Sequence, residues 1–163
     1  MSDQSAGQAQ TGPAAQAAAE GALPPLVINA QYVKDLSFEN PNAPNSLAQR
    51  QAPQISVNVD VKARPLAENA FEVLLVIAAE AKQDEQVAFV VELTYGGIFT
   101  LNGIADEHVR PVLLIECPRL LFPFARSILA DATRDGGYPP LSLQPIDFAQ
   151  LYRHQQPAPA GQA

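Results

Sequence analysis

The stretch from Ile55 to Tyr95 constrains this chain most. Ile55, Val57, Val59 and Val61 alternate with Ser56, Asn58, Asp60 and Lys62. That is the period-2 signature of a strand with one face buried. Phe71–Lys82 repeats it, with Phe71, Val73, Leu75 and Ile77 inward and a second face, Glu72, Leu74, Val76 and Ala78, that is also partly apolar. Val87–Tyr95 alternates again, and Gln83-Asp84-Glu85 is short enough for a hairpin between the two. Leu26–Phe38 alternates more weakly and is read as a first strand. Gly96-Gly97 interrupts the last strand, which resumes from Ile98 to Leu101; glycines there predict a bulge or sharp bend. Glu39–Gln54, with Pro41, Pro44 and Pro53, is too long for a tight turn and reads as a crossover over the sheet.

After Gly103 the period changes. Asp106 or Glu107 can start a helix, and Pro111 fits a first turn. Pro118 is expected to break or restart it and Pro123 to kink it. From Arg119 to Ala132 the apolar residues cover an arc of roughly 200°, about twice what one sheet requires. A second packing partner for this helix is therefore expected. Gly136-Gly137 ends it, Tyr138-Pro139-Pro140 is an extended connector, and Asp147 can cap a short last helix, Phe148–His154. The fold class is α+β: a four-stranded antiparallel sheet with a long crossover loop, one long kinked helix and a short C-terminal helix, helices on one face.

Charge excludes some roles. With 10 Lys+Arg against 17 Asp+Glu the formal charge is −7, the wrong sign for nucleic-acid binding. No apolar run reaches the roughly 18–20 residues needed to span a bilayer, so direct membrane insertion is not expected. Residues 1–25 hold eight-odd alanines with Gln, Gly and Pro, no Lys or Arg, and almost no large apolar side chain. They read as a disordered tail and not as a secretory signal, as do residues 155–163; the folded domain is 26–154. The reading is of a soluble cytoplasmic protein.

Chemistry is sparse. One cysteine, Cys117, rules out an internal disulfide or a Cys-based zinc cluster, and His108 and His154 leave no dense set of metal ligands. No GxxxxGK, GxSxG, HExxH or CxxC string is present. No cofactor, metal or enzymatic activity is expected. His108 beside Asp106 and Glu107 reads as a solvated helix start, Cys117 as a buried small side chain, and Glu116 as the partner of an arginine.

Four strings carry a resemblance. They are Tyr32-Val33-Lys34-Asp35-Leu36-Ser37-Phe38-Glu39-Asn40-Pro41-Asn42-Ala43-Pro44, Tyr95-Gly96-Gly97-Ile98-Phe99, Cys117-Pro118-Arg119-Leu120-Leu121-Phe122-Pro123-Phe124-Ala125-Arg126, and Pro140-Leu141-Ser142-Leu143-Gln144-Pro145-Ile146-Asp147-Phe148. In order and with sensible spacing over residues 26–154, they resemble the SecB protein-export chaperone family. The alanine-rich start is longer than expected for that family, and the end lacks the acidic character of some members.

The resemblance implies an ATP-independent chaperone that holds preproteins unfolded and delivers them to the SecA translocation ATPase. It implies a homotetramer built as a dimer of dimers. The family's SecA-binding acidic face maps onto Asp35, Glu39, Val90 and Glu92. Candidates for the client groove are Phe38, Phe99, Leu141, Leu143, Phe148 and Leu151, each of which ordinary core packing would also explain. Leu121, Phe124 and Ile128 are candidates for the oligomer interface. Two alternatives stand beside this: a SecB-like chaperone of a toxin–antitoxin pair, and a module binding a small apolar ligand between sheet and helix.

Overall fold

A computed structural model of the chain describes residues 22–156. The tail readings for residues 1–21 and 157–163 lie outside the described residues. Four strands, β1 (Leu26–Glu39), β2 (Gln54–Ala67), β3 (Ala70–Gln83) and β4 (Gln86–Leu101), form one antiparallel sheet. Its order is β1-β4-β3-β2. β2, β3 and β4 follow one another through two-residue turns, with Asn69, Asp84 and Glu85 at positive φ as tight hairpins require. The crossover, residues 40–53, joins the two opposite edges of the sheet and carries one short 3-10 turn, Asn45–Ala48.

On β3 and β4 alternation decides the faces as expected; on β2 the expected buried face is corrected, since only Val61 is buried, Val59 is half-buried, and Ile55 and Val57 on the same side are exposed. Val73, Leu75 and Ile77 on β3, and Val91, Leu93, Phe99 and Leu101 on β4, are buried on the inner face. The expected bulge at Gly96-Gly97 is corrected. β4 runs unbroken through both glycines; against β1 the register shifts fall between Ile28 and Ala30 and between Val33 and Asp35, and the others in the sheet fall at Pro65/Ala67 and Ala81/Lys82. The glycines are needed for close approach. A Cβ on Gly96 would stand 2.7 Å from the Tyr32 ring, and one on Gly97 would stand 2.6 Å from Phe99 and 2.9 Å from Leu121. Gly97→Ala is expected to destabilise the fold by about 1–3 kcal/mol through overpacking. A urea midpoint that falls with an unchanged slope is the readout; an unchanged midpoint would show that the Phe99 ring has room to yield.

The inner face is covered by a helical rod in three parts: α1 (Asp106–Pro111), a π turn (Val112–Glu116) and α2 (Cys117–Asp135). Of the break or restart expected at Pro118, the restart is what occurs: α2 begins at Cys117 with Pro118 in its first turn, the rod continues without a break, and Pro118 is buried. The Cys117 N–H reaches the Val112 carbonyl five residues back, so the turn widens just where Pro118 has no N–H to give. Leu121, Phe122, Ala125 and Leu129 face the sheet. Asp147 caps α3 (Phe148–Gln155) by accepting the Gln150 N–H at 3.0 Å. No helix among the described residues is long and apolar enough to cross a membrane.

Candidate binding surfaces

The sheet's outer face gathers the predicted acidic residues. Ser37 stands opposite Glu92, Glu39 opposite Val90, and Asp35 opposite Thr94. All four candidates, Asp35, Glu39, Val90 and Glu92, therefore share one face, which the bulge after Val33 sets. Continuing across β3, Glu80 lies opposite Val90 and Ala78 opposite Glu92. The result is a small aliphatic centre, Val90 and Ala78, among carboxylates. Asp35, Glu39 and Glu92 are exposed, and no ion pair involves them among the described residues. Unneutralised carboxylates on a flat face favour contact with basic groups of a partner.

Beyond this patch the same face carries a clasp that sequence reading missed. Glu72 on β3 is only 5% exposed. It accepts hydrogen bonds from Arg64 Nε on β2 at 2.6 Å, from Lys34 Nζ on β1 at 3.2 and 3.3 Å, and from the Tyr32 hydroxyl. Tyr32 reaches Glu72 across β4 only because Gly96 lies beneath its ring. One carboxylate on β3 thus ties β2 on one side to β1 on the other, across β4. The Arg64 hydrogen bond, with those of Tyr32 and Lys34, holds Glu72 down to about 2 against the opposing effect of burial. Tyr32 is pushed up to about 12 by burial and by the same carboxylate. An acid set among Phe71, Val73 and Leu74 near the start of an apolar strand was the available signal.

The inner side divides the helix residues. Leu121 is fully buried against its own sheet, which corrects its place among the interface candidates: it is the next layer below Gly97. Phe124 is 50% exposed and Ile128 half-buried; Leu120, 41% exposed, completes an outward stripe at helical spacing. Phe124 stacks on Tyr95 at 6.3 Å, and Tyr95 is opposite Val33 on β1, itself exposed like nearby Leu36. The stripe and the β1 edge therefore form one apolar patch.

Most client-groove candidates are in the core. Phe99, Leu141, Leu143 and Phe148 are buried, so they offer no open surface to a client. Phe99 is on the inner face of β4 under α2; Leu141 and Leu143 are held by the connector, where the Leu141 N–H donates to Thr133 Oγ1 at 2.9 Å; Phe148 packs edge-on against Phe122. Only Phe38 and Leu151 are half-buried. Phe38 stacks on Phe89 at 5.8 Å and lies against Gly136.

The crossover is fastened beside Phe38. The Tyr138 hydroxyl lies 2.9 Å from Asn40 Oδ1, 2.8 Å from Ser46 Oγ and 3.0 Å from the Ala88 carbonyl. Asn40 Nδ2 donates to the Gly136 carbonyl at 3.0 Å and Asn42 Nδ2 to the Val87 carbonyl at 2.7 Å. Sequence reading took Tyr138 as mere connector.

Of the remaining candidates, Glu116 pairs with Arg119 at 2.8 Å, and Cys117 is buried, its thiol pushed up to about 12 by desolvation and by Glu116. Among the described residues no group of three or more His, Cys, Asp and Glu side chains is placed to hold a metal.

The fold is an α+β one, an open antiparallel sheet whose outer face carries unpaired carboxylates and whose helix-covered side shows an exposed apolar stripe, the two surfaces it offers to a macromolecular partner. The family model described as preprotein translocase subunit SecB matches residues 19–158. Protein-export protein SecB of Rhodospirillum centenum is 61% identical over 133 residues, covering 80% of this chain and 79% of that protein. The protein of that name from Mesorhizobium japonicum is 58% identical over 136 residues (83% and 81%), and that from Brucella anthropi 55% over 156 residues (95% and 93%). A solved SecB-like chaperone of Mycobacterium tuberculosis, in complex with a ChAD peptide from an antitoxin, shares the fold at TM-score 0.62 and 13% identity, covering 74% of this chain and 90% of that one. The chain belongs to the SecB family.

Proposed function

We propose that this protein is an ATP-independent export chaperone that works in the cytoplasm, holds preproteins unfolded, and passes them to the SecA ATPase through the outer sheet face. Family membership over nearly the whole described domain carries the reading. The acidic face of Asp35, Glu39 and Glu92 around Val90 is the SecA contact. The patch of Leu120, Phe124, Val33 and Leu36 seats further copies of the chain, giving a dimer of dimers; that much exposed apolar surface suits self-association. Phe38 and Leu151 border the client surface. Many weak contacts along a tetramer retain an unfolded chain without sequence preference. The toxin–antitoxin alternative draws on the mycobacterial structure, whose likeness at 13% identity is one of fold alone. The three relatives described above, at 55–61% identity, are named for protein export.

The test is the double variant Asp35→Ala, Glu92→Ala. SecA association should slow and lose part of its salt dependence, since complementary charge acts mainly on the association rate. Fold stability should change little, exposed charges contributing about 0–1 kcal/mol. Blocking of precursor refolding should persist. Intact SecA binding with lost holding would reverse the assignment of the two surfaces.

A further inference from the structure

Tyr32 and Phe38 stand on β1 with an even number of steps between them. In a regular strand such residues point to the same side. These two point to opposite sides. Tyr32 lies over Gly96 on the outer face, where its hydroxyl donates to Glu72. Phe38 lies on the inner face, stacked on buried Phe89 at 5.8 Å and set against Gly136 at the end of α2. An extra residue has to be taken up between the two anchors. It is Lys34: Val33 pairs with Tyr95 and Asp35 with the adjacent Thr94, which leaves Lys34 without a partner on β4.

A bulge can sit at several positions between such anchors, and each position turns a different set of side chains outward. Glu39 is next to Phe38, so the inner anchor alone turns it outward. Asp35 is not fixed in this way. With the extra residue at Lys34, Asp35 faces outward beside Thr94, and Leu36 pairs with Leu93 of the inner face. With the extra residue at Leu36, Asp35 would face inward and leave the acidic patch. β1 is an outermost strand, paired only with β4, so no second ladder fixes the bulge within the protomer. Glu72 does. It takes the Tyr32 hydroxyl, and it takes the extra residue itself, Lys34 Nζ lying 3.2 and 3.3 Å from its two oxygens. These are the residues on either side of Val33. Arg64 Nε on β2 holds the same carboxylate at 2.6 Å from the other side.

We propose that Glu72, through Tyr32 and Lys34, is a positioning residue for the acidic face: it fixes the bulge of β1 at Lys34 and so presents Asp35 to the partner. The inference rests on the reading of that face as the SecA contact. Glu39 and Glu92 do not depend on the clasp, since Phe38 turns the first and the second lies on β4, between two paired strands.

The test is a set of double-variant cycles on the full chain, read as SecA affinity at low salt, with assembly mass followed by light scattering. In the wild type Asp35→Ala, Glu39→Ala and Glu92→Ala should each weaken SecA binding about two- to fivefold, the scale of one exposed complementary charge. In a Glu72→Ala background Asp35→Ala should cost almost nothing more, while Glu39→Ala and Glu92→Ala cost what they cost in the wild type. Tyr32→Phe keeps the ring over Gly96 and removes one donor, so it should reduce the Asp35 effect in part. It carries the test where Glu72→Ala fails to fold or changes mass. Val73→Ala is the control for general loosening: it adjoins Glu72, is fully buried on the inner face, and should leave all three effects intact. Nuclear Overhauser contacts between Asp35 and Thr94 should weaken in Glu72→Ala and persist in Val73→Ala. A full Asp35 effect in Glu72→Ala, or an unreduced one in Tyr32→Phe, overturns the proposal. So does an Asp35 effect lost equally in Val73→Ala. If none of the three carboxylates matters in the wild type, the SecA face itself is removed, and this inference with it.

Discussion

Leu121→Asp is expected to abolish folding, whereas Phe124→Asp, three residues on, should leave each protomer folded and take the assembly apart. Leu121 is fully buried between α2 and the sheet, and its Cδ2 stands within 2.9 Å of where a Gly97 Cβ would be. Losing its apolar contacts costs about 2–5 kcal/mol. An unpaired carboxylate in the same place adds several more, and the sum rivals the whole stability of a domain this size, about 5–15 kcal/mol. Phe124 is half in solvent, so a charge there costs its own protomer little and faces whatever sits on the outward stripe. Circular dichroism and light scattering separate the two. A soluble, helical Leu121→Asp protein would contradict the core position. A Phe124→Asp protein of unchanged mass would remove the stripe from the assembly contact.

Glu72→Gln is expected to lower stability by about 1–3 kcal/mol at neutral pH, the cost of weakening buried charged hydrogen bonds. The loss should itself depend on pH. Glu72 titrates at about 2 in the folded chain against 4.5 for an ordinary glutamate. A carboxylate depressed by folding stabilises the native state above its unfolded pKa, and the contribution drains away as pH falls through the folded value. The gap between wild type and Glu72→Gln should thus be full at pH 7 and shrink as pH falls from about 4.5 toward 2. Urea midpoints of both proteins across that window are the measurement. A gap of constant size would mean that the clasp acts by shape and not by charge.

Much of the architecture was legible because β2, β3 and β4 are adjacent in sequence and in space, so simple alternation settles their sides, though not the depth of burial on β2. The Asp147 cap was legible for the same reason: it is a local contact, closed within three residues. The extent of β1 was legible too, but its faces were not, since its two bulges answer to β4, with Tyr32 seated on a glycine that lies far along the chain. The apolar arc of α2 announced two neighbours but not which half faced which; only the sheet's position separates Leu121 from Phe124. Leu141, Leu143 and Phe148 follow a connector without periodicity, so nothing local told burial from exposure. The acidic face came from the resemblance and not from spacing: the bulge after Val33 is what turns Asp35 and Glu39 to the same side as Val90 and Glu92.

The strand order β1-β4-β3-β2 also sets a timetable. β2, β3 and β4 can zip together as each emerges, through turns of two residues. β1 is made first, yet its partner is the last strand of the sheet, and closing that loop carries the largest entropy cost. On the ribosome β1 must wait, an unpaired ribbon bearing Val33 and Leu36, until Leu101 has cleared the exit. A protein that keeps other chains from pairing too early thus spends its own synthesis with its first strand in the same unpaired state.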